Sequence, residues 1–94
     1  MTNLVTEVRV TVVVPHLDDA AVTASMDGCG EVAAAEGDVV DWSVSADLGS
    51  GELEFWLLLD YAQVAAGEQR GEEIAARCAF AGTVTARSGE LVAA

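Results

Sequence analysis

Two stretches with a two-residue hydrophobic period, 39–47 and 52–61, flank the segment Leu48-Gly49-Ser50-Gly51. Alternation of this kind predicts half-buried β-strands. The glycine-rich link predicts a β-hairpin, closed by a Gly49-Ser50 turn or by a four-residue loop from Leu48 to Gly51. Both closures give one register. One face pairs Ala46 with Leu53, Val44 with Phe55, Trp42 with Leu57 and Val40 with Leu59, all apolar. The other pairs Ser45 with Glu54, Ser43 with Trp56, Asp41 with Leu58 and Val39 with Asp60. A slip of one residue mixes the two sets, so the pattern selects the register. The apolar face calls for a cover of helices or a second sheet. The polar face is interrupted by Trp56 and Leu58, and apolar residues grouped on a solvated face mark contact surfaces.

The rest of the chain supplies strands and helices around this hairpin. Residues 4–14 read as a first strand, with Val8, Val10, Val12 and Val14 on one face. Glu7, Arg9 and Thr11 lie on the other, where Val13 is the apolar exception. Pro15 ends the strand, because it has no N–H for the ladder. Residues 16–37 read as a helix and its entry, with Asp18 as N-cap and Asp19 in the first turn. Val22, Met26, Cys29 and Ala33 form its expected inward stripe. Gly28 and Gly30 leave open whether this helix is continuous, and Gly37 is its expected C′ stop. Residues 62–81 read as a second helix with Val64, Gly67, Gly71, Ile74, Cys78 and Ala81 on one face. Glycines on a buried stripe predict a close approach to the sheet, and Glu73 with Arg77 makes an i,i+4 pair. After Gly82, residues 83–87 and 90–92 are two candidates for the last strand, separated by Ser88-Gly89.

The order is β-α-β-β-α-β, the ferredoxin-like split βαβ pattern of an α+β domain. Right-handed crossovers put both helices on one face of a four-stranded antiparallel sheet of order 4-1-3-2. The whole of residues 1–94 is then a single domain. This arrangement sets the start of the first strand beside the end of the third, which predicts an exposed ion pair between Arg9 and Asp60.

Charge narrows the choice of partner. The chain carries 16 acidic and 4 basic residues, a formal net charge of −12, and every basic residue is arginine. Phosphate backbones require clustered positive charge, so nucleic acid is excluded as a partner, and so are anionic membrane surfaces. Solubility is the simplest role for the acidity. The abundance of alanine, valine and glycine without lysine reads as GC-rich coding, and a halophilic origin would also raise the acidity. No segment approaches the roughly 20 apolar residues of a membrane helix, and the N-terminal stretch lacks a basic leader. A soluble, cytoplasmic protein is expected. Cys29 and Cys78 have neither zinc-knuckle nor redox CxxC spacing, and read as small buried hydrophobes.

Candidate chemistry is sparse. His16, with Asp18 and Asp19 beside it, is a candidate ligand site at the first strand–helix turn, as a general base or metal ligand. The simpler interpretation is a loop histidine beside a capping aspartate. The paired carboxylates Asp18-Asp19 and Glu72-Glu73 lack calcium-loop spacing, and no phosphate-binding or nucleophile-elbow motif is present. No catalytic residue, cofactor or metal is assigned. Phe80, Tyr61 and Trp42 read as core or core-edge residues. Aromatic stacking on RNA would require basic surroundings that Trp56 lacks.

Three functions follow. The first is an interaction or accessory module, as a homodimer or with a protein partner, using Val13, Ser43, Trp56 and Leu58 on the open sheet face. The second is a small enzyme of the dimeric α/β-barrel type with a pocket between paired sheets. The third is a small-molecule sensor with its site at His16.

Overall fold

The computed structural model describes residues 3–79 and 82–94. Its elements are β1 (Leu4–Val13), α1 (Asp19–Ala35), β2 (Val39–Asp47), β3 (Glu52–Leu59), α2 (Val64–Cys78) and β4 (Thr83–Ala93). The four strands form one antiparallel sheet of order β2-β3-β1-β4, which is the expected 4-1-3-2 order read from the opposite edge. The core assignment of Phe80 and the inward position of Ala81 lie outside the described residues.

The hairpin closes by the four-residue loop. Gly51 adopts φ 73°, in the left-handed region open to glycine. Its N–H donates to the Asp47 carbonyl at 2.9 Å, and Asp47 Oδ1 accepts from the Gly49 and Ser50 N–H groups. The register matches the apolar pattern from Ala46–Leu53 to Trp42–Leu57 and then departs from it. A bulge places Val39 opposite Leu59, so Val40 is 54% exposed instead of facing the core. Two adjacent valines give no alternation at this end, so either can face inward.

The core lies on the helix-covered face. Val8, Val10 and Val12 of β1 and Leu53, Phe55, Leu57 and Leu59 of β3 are fully buried there. The second helix lies across β1 and β4, and the first across β2. A Cβ on Gly67 would sit 2.5 Å from Thr6, and one on Gly71 would sit 2.6 Å from Val8. Only glycine allows α2 so near the sheet. Helix α1 is continuous through Gly28 and Gly30, capped by Asp18, whose Oδ1 accepts from the Ala21 N–H at 2.8 Å. Its buried residues are Ser25, Cys29 and Val32, and Met26 is exposed. The inward stripe is therefore rotated from the one expected. In a helix this rich in alanine, packing against β2 and α2 decides which face is buried. Gly37 is not in the left-handed conformation expected of a C′ stop.

The two short candidate strands after Gly82 are one strand, β4. Ser88-Gly89 is not a turn. Gly89 pairs with Val8 on the helix side, and the Glu68 stem occupies the space its side chain would fill. Beside it, Arg87 is paired with Glu68 at 3.4 Å and with Glu72, tying β4 to α2. Arg77 is not paired with Glu73. It reaches Glu36 at 3.2 Å, while Glu73 lies 3.6 Å from Arg70.

Candidate functional site: the open face of the sheet

The face without helices is laid out in rungs by the strand register. From β2 to β4, one rung is Asp41, Leu58, Glu7 and Glu90, and the next is Ser43, Trp56, Arg9 and Ser88. The third is Ser45, Glu54, Thr11 and Ala86, and the last, beside the hairpin loop, is Asp47, Glu52, Val13 and Thr83. Trp56 and Leu58 are next neighbours on one side of β3, and both are only partly covered. Trp42 lies on the opposite side, packed against the core and over Gly30.

The structure brings Ser43, Trp56 and Leu58 together and sets Val13 apart. A full rung, Thr11–Glu54, separates Val13 from Arg9 and Trp56, and four residues of strand span about 13 Å. In the other direction, strand parity puts Val5 and its partner Val92 on this face beyond Leu58, where Val5 is buried at 3% exposed and Val92 is partly covered, so they adjoin the patch and add little open surface. Sequence reasoning missed both. The available signal was Leu4-Val5, where two apolar residues in a row break the alternation of β1.

Arg9 is not paired with Asp60. It lies 3.3 Å from Glu54 and 3.7 Å from Glu7. The last β1–β3 pair is Thr6 with Leu59, so Asp60 falls beyond the ladder and more than a rung from Arg9. A shallow depression lined by Glu7, Arg9, Ser88 and Glu90 opens between β1 and β4.

The turn candidate is less developed. His16 is exposed, with φ 57°. The Asp18 carboxylate is engaged as the helix cap, and Asp19 is exposed in the first turn. Among the described residues, no three His, Cys, Asp or Glu side chains are grouped to hold a metal ion.

A polar cluster at the opposite end of the helix layer was not anticipated. Arg70 Nε donates to Asp38 Oδ2 at 2.7 Å, and its terminal nitrogen donates to Glu36. The Tyr61 hydroxyl donates to the same Asp38 oxygen at 2.7 Å. Burial works against the Asp38 charge, but the hydrogen bonds from Arg70 and Tyr61 outweigh it and hold the carboxyl below its ordinary range. The Asp38 hydrogen bond also raises the Tyr61 phenol. A hydrogen bond from Arg77, then the charge of Arg70, lowers Glu36. These groups come from the α1–β2 link, the end of β3 and α2, so the cluster is a clasp between segments. The last cluster is Cys29 with Cys78, two free and buried thiols at the α1–α2 contact. The neighbouring Cys78 thiol, reinforced by burial, holds the Cys29 thiol above its ordinary range.

The chain matches no known protein-family model and no curated protein. Among the described residues, no helix is long and apolar enough to cross a membrane.

Proposed function

We propose that the protein is a non-catalytic interaction module that binds another polypeptide through the open face of its sheet. The observation that carries this reading is the pair Trp56 and Leu58, adjacent on the helix-free side and only partly covered. Fully burying a large side chain contributes about 1.5–3 kcal/mol. Completing the cover of both residues should supply about 2–3 kcal/mol, enough for the centre of a modest interface. Both edge strands are interrupted by a bulge, at Val40 in β2 and at Thr85 in β4. Bulged edges discourage strand addition, which leaves the face as the better docking surface. A pocketed enzyme or a sensor at His16 draws less support, because the depressions are shallow and Asp18 is already engaged by the helix.

Peptide display against the immobilised protein tests this, with selected peptides re-measured on the double variant Trp56→Ser, Leu58→Ser after circular dichroism confirms its fold. The expected result is a selected set that loses at least tenfold in affinity on the variant. No selection above the bare matrix, or binding indifferent to the two substitutions, overturns it.

A further inference from the structure

The four arginines are unevenly placed. Arg70, Arg77 and Arg87 all pair with carboxylates on the helix side. Arg9 alone serves the open face, where the register sets Glu7, Asp41, Asp47, Glu52, Glu54 and Glu90. Glu7 and Glu90 stand directly opposite each other at the depression between β1 and β4. Among the described residues, Glu90 has no cationic partner. The apolar Leu58 is the next residue along the same rung, on the other side of Glu7.

We propose that this face takes a basic, extended polypeptide segment. A lysine or arginine of the segment seats between Glu7 and Glu90, and an apolar side chain two residues away covers Leu58 and Trp56. The proposal rests on the open face being a docking surface and adds the chemistry of its partner. The spacing supports it. Strands lie about 4.8 Å apart, so the middle of the β1–β4 gap is about 7 Å from β3. Residues i and i+2 of an extended chain are also nearly 7 Å apart on one side. A segment running across the strands therefore presents both groups at once.

A second copy of the chain is a poor occupant. Facing sheets pack about 10 Å apart, close to the Debye length of about 8 Å at physiological ionic strength. Six carboxylates on each side would meet with one arginine per copy, and that arginine is already held by Glu7 and Glu54. Nucleic acid would bring phosphates to the same carboxylates.

The test is an NMR titration of the full chain with a ten-residue serine-glycine peptide carrying a central Leu-Ser-Lys. Matched peptides carry serine or glutamate in place of the lysine. The lysine peptide should shift the amides of Glu7, Leu58 and Glu90 and the Trp56 indole, and should weaken as salt is raised. Glu90→Gln should weaken it by about 1.4–5-fold, the range of an exposed ion pair. Equal binding of the serine peptide, or no change in Glu90→Gln, overturns the basic partner while shifts on the open face keep the docking surface. Shifts confined to the helices, or binding that survives Trp56→Ser with Leu58→Ser, overturn both. No shifts at millimolar peptide overturn the inference, as does a dimer in sedimentation equilibrium that is lost in that same double variant.

Discussion

Replacing Arg70 by methionine tests the clasp that joins the α1–β2 link to α2. Methionine keeps an apolar stem of similar reach, so the lost interactions are mainly those of the guanidinium. The side chains of Arg70 and Asp38 are 18% and 23% exposed. Their 2.7 Å contact is therefore better shielded than a surface ion pair, and a hydrogen bond to a charged group in such a place contributes about 1.5–3 kcal/mol. The contact with Glu73 at 3.6 Å involves a carboxylate that is 55% exposed and should add little. A loss of about 2–3 kcal/mol is expected at neutral pH, a large share of the roughly 5–14 kcal/mol available to a chain of this size. The pH dependence separates this mechanism from simple packing loss. In the wild type the Asp38 pKa is lowered, so its stabilisation is present above the ordinary carboxylate value near 4 and is lost as pH falls through the folded-state value. In Arg70→Met the burial of Asp38 is no longer offset by the cation, so its pKa should rise. The variant then carries a penalty that acid relieves. The stability difference should be largest at pH 6–7 and shrink below pH 4. Urea unfolding followed by circular dichroism at pH 7 and pH 3.5 measures both. A difference under about 0.5 kcal/mol at pH 7, or one that stays constant with pH, would refute the assigned role of Arg70.

Two further substitutions and a thiol reagent probe the packing. Gly71→Ala should destabilise by about 1–2 kcal/mol, because overpacking against Val8 outweighs a helix-propensity gain of about 1 kcal/mol. Gly28→Ala meets Cys78 only at 3.7–3.8 Å and should stabilise by up to about 1 kcal/mol; equal signs in thermal unfolding would contradict the contrast. Cys29 and Cys78, 1% and 2% exposed, should resist a thiol reagent under native conditions and react at the rate of unfolding. Rapid native labelling would show that the α1–α2 contact opens readily.

How far the sequence carried depended on whether each feature is encoded locally. The hairpin was legible almost residue by residue, because its alternation and its loop lie within one short stretch. The strand order followed from the sequence of elements and the handedness of crossovers. The bulge at Val40 was not legible, since Val39 and Val40 offer the same chemistry to the core. The rotated stripe of α1 was decided by its neighbours, not by its weakly patterned surface. Gly89 looked like a turn because the Glu68 stem that requires it comes from another element. The Arg70 clasp joins Glu36, Asp38 and Tyr61 across 34, 32 and 9 positions, and nothing near any one of them announces the others. On the open face, Trp56 and Leu58 stood out as departures from a polar row. Glu7 and Glu90 did not, because their meeting depends on the β1–β4 register.

The register also sets like charges against one another on the open side of the sheet. Glu7 faces Glu90 and Asp47 faces Glu52 directly across neighbouring strands. Like charges in that position are destabilising, by the few tenths to about 1 kcal/mol typical of cross-strand pairs. Arg9 relieves the first pair only in part, since it is shared with Glu54. The Glu7–Glu90 pair stands one rung from the partly covered Trp56, on a face that holds a single arginine. Local conflicts of this kind are expected at functional or strained sites. A cation supplied by a partner would relieve the repulsion between Glu7 and Glu90 and gain binding energy by the same contact.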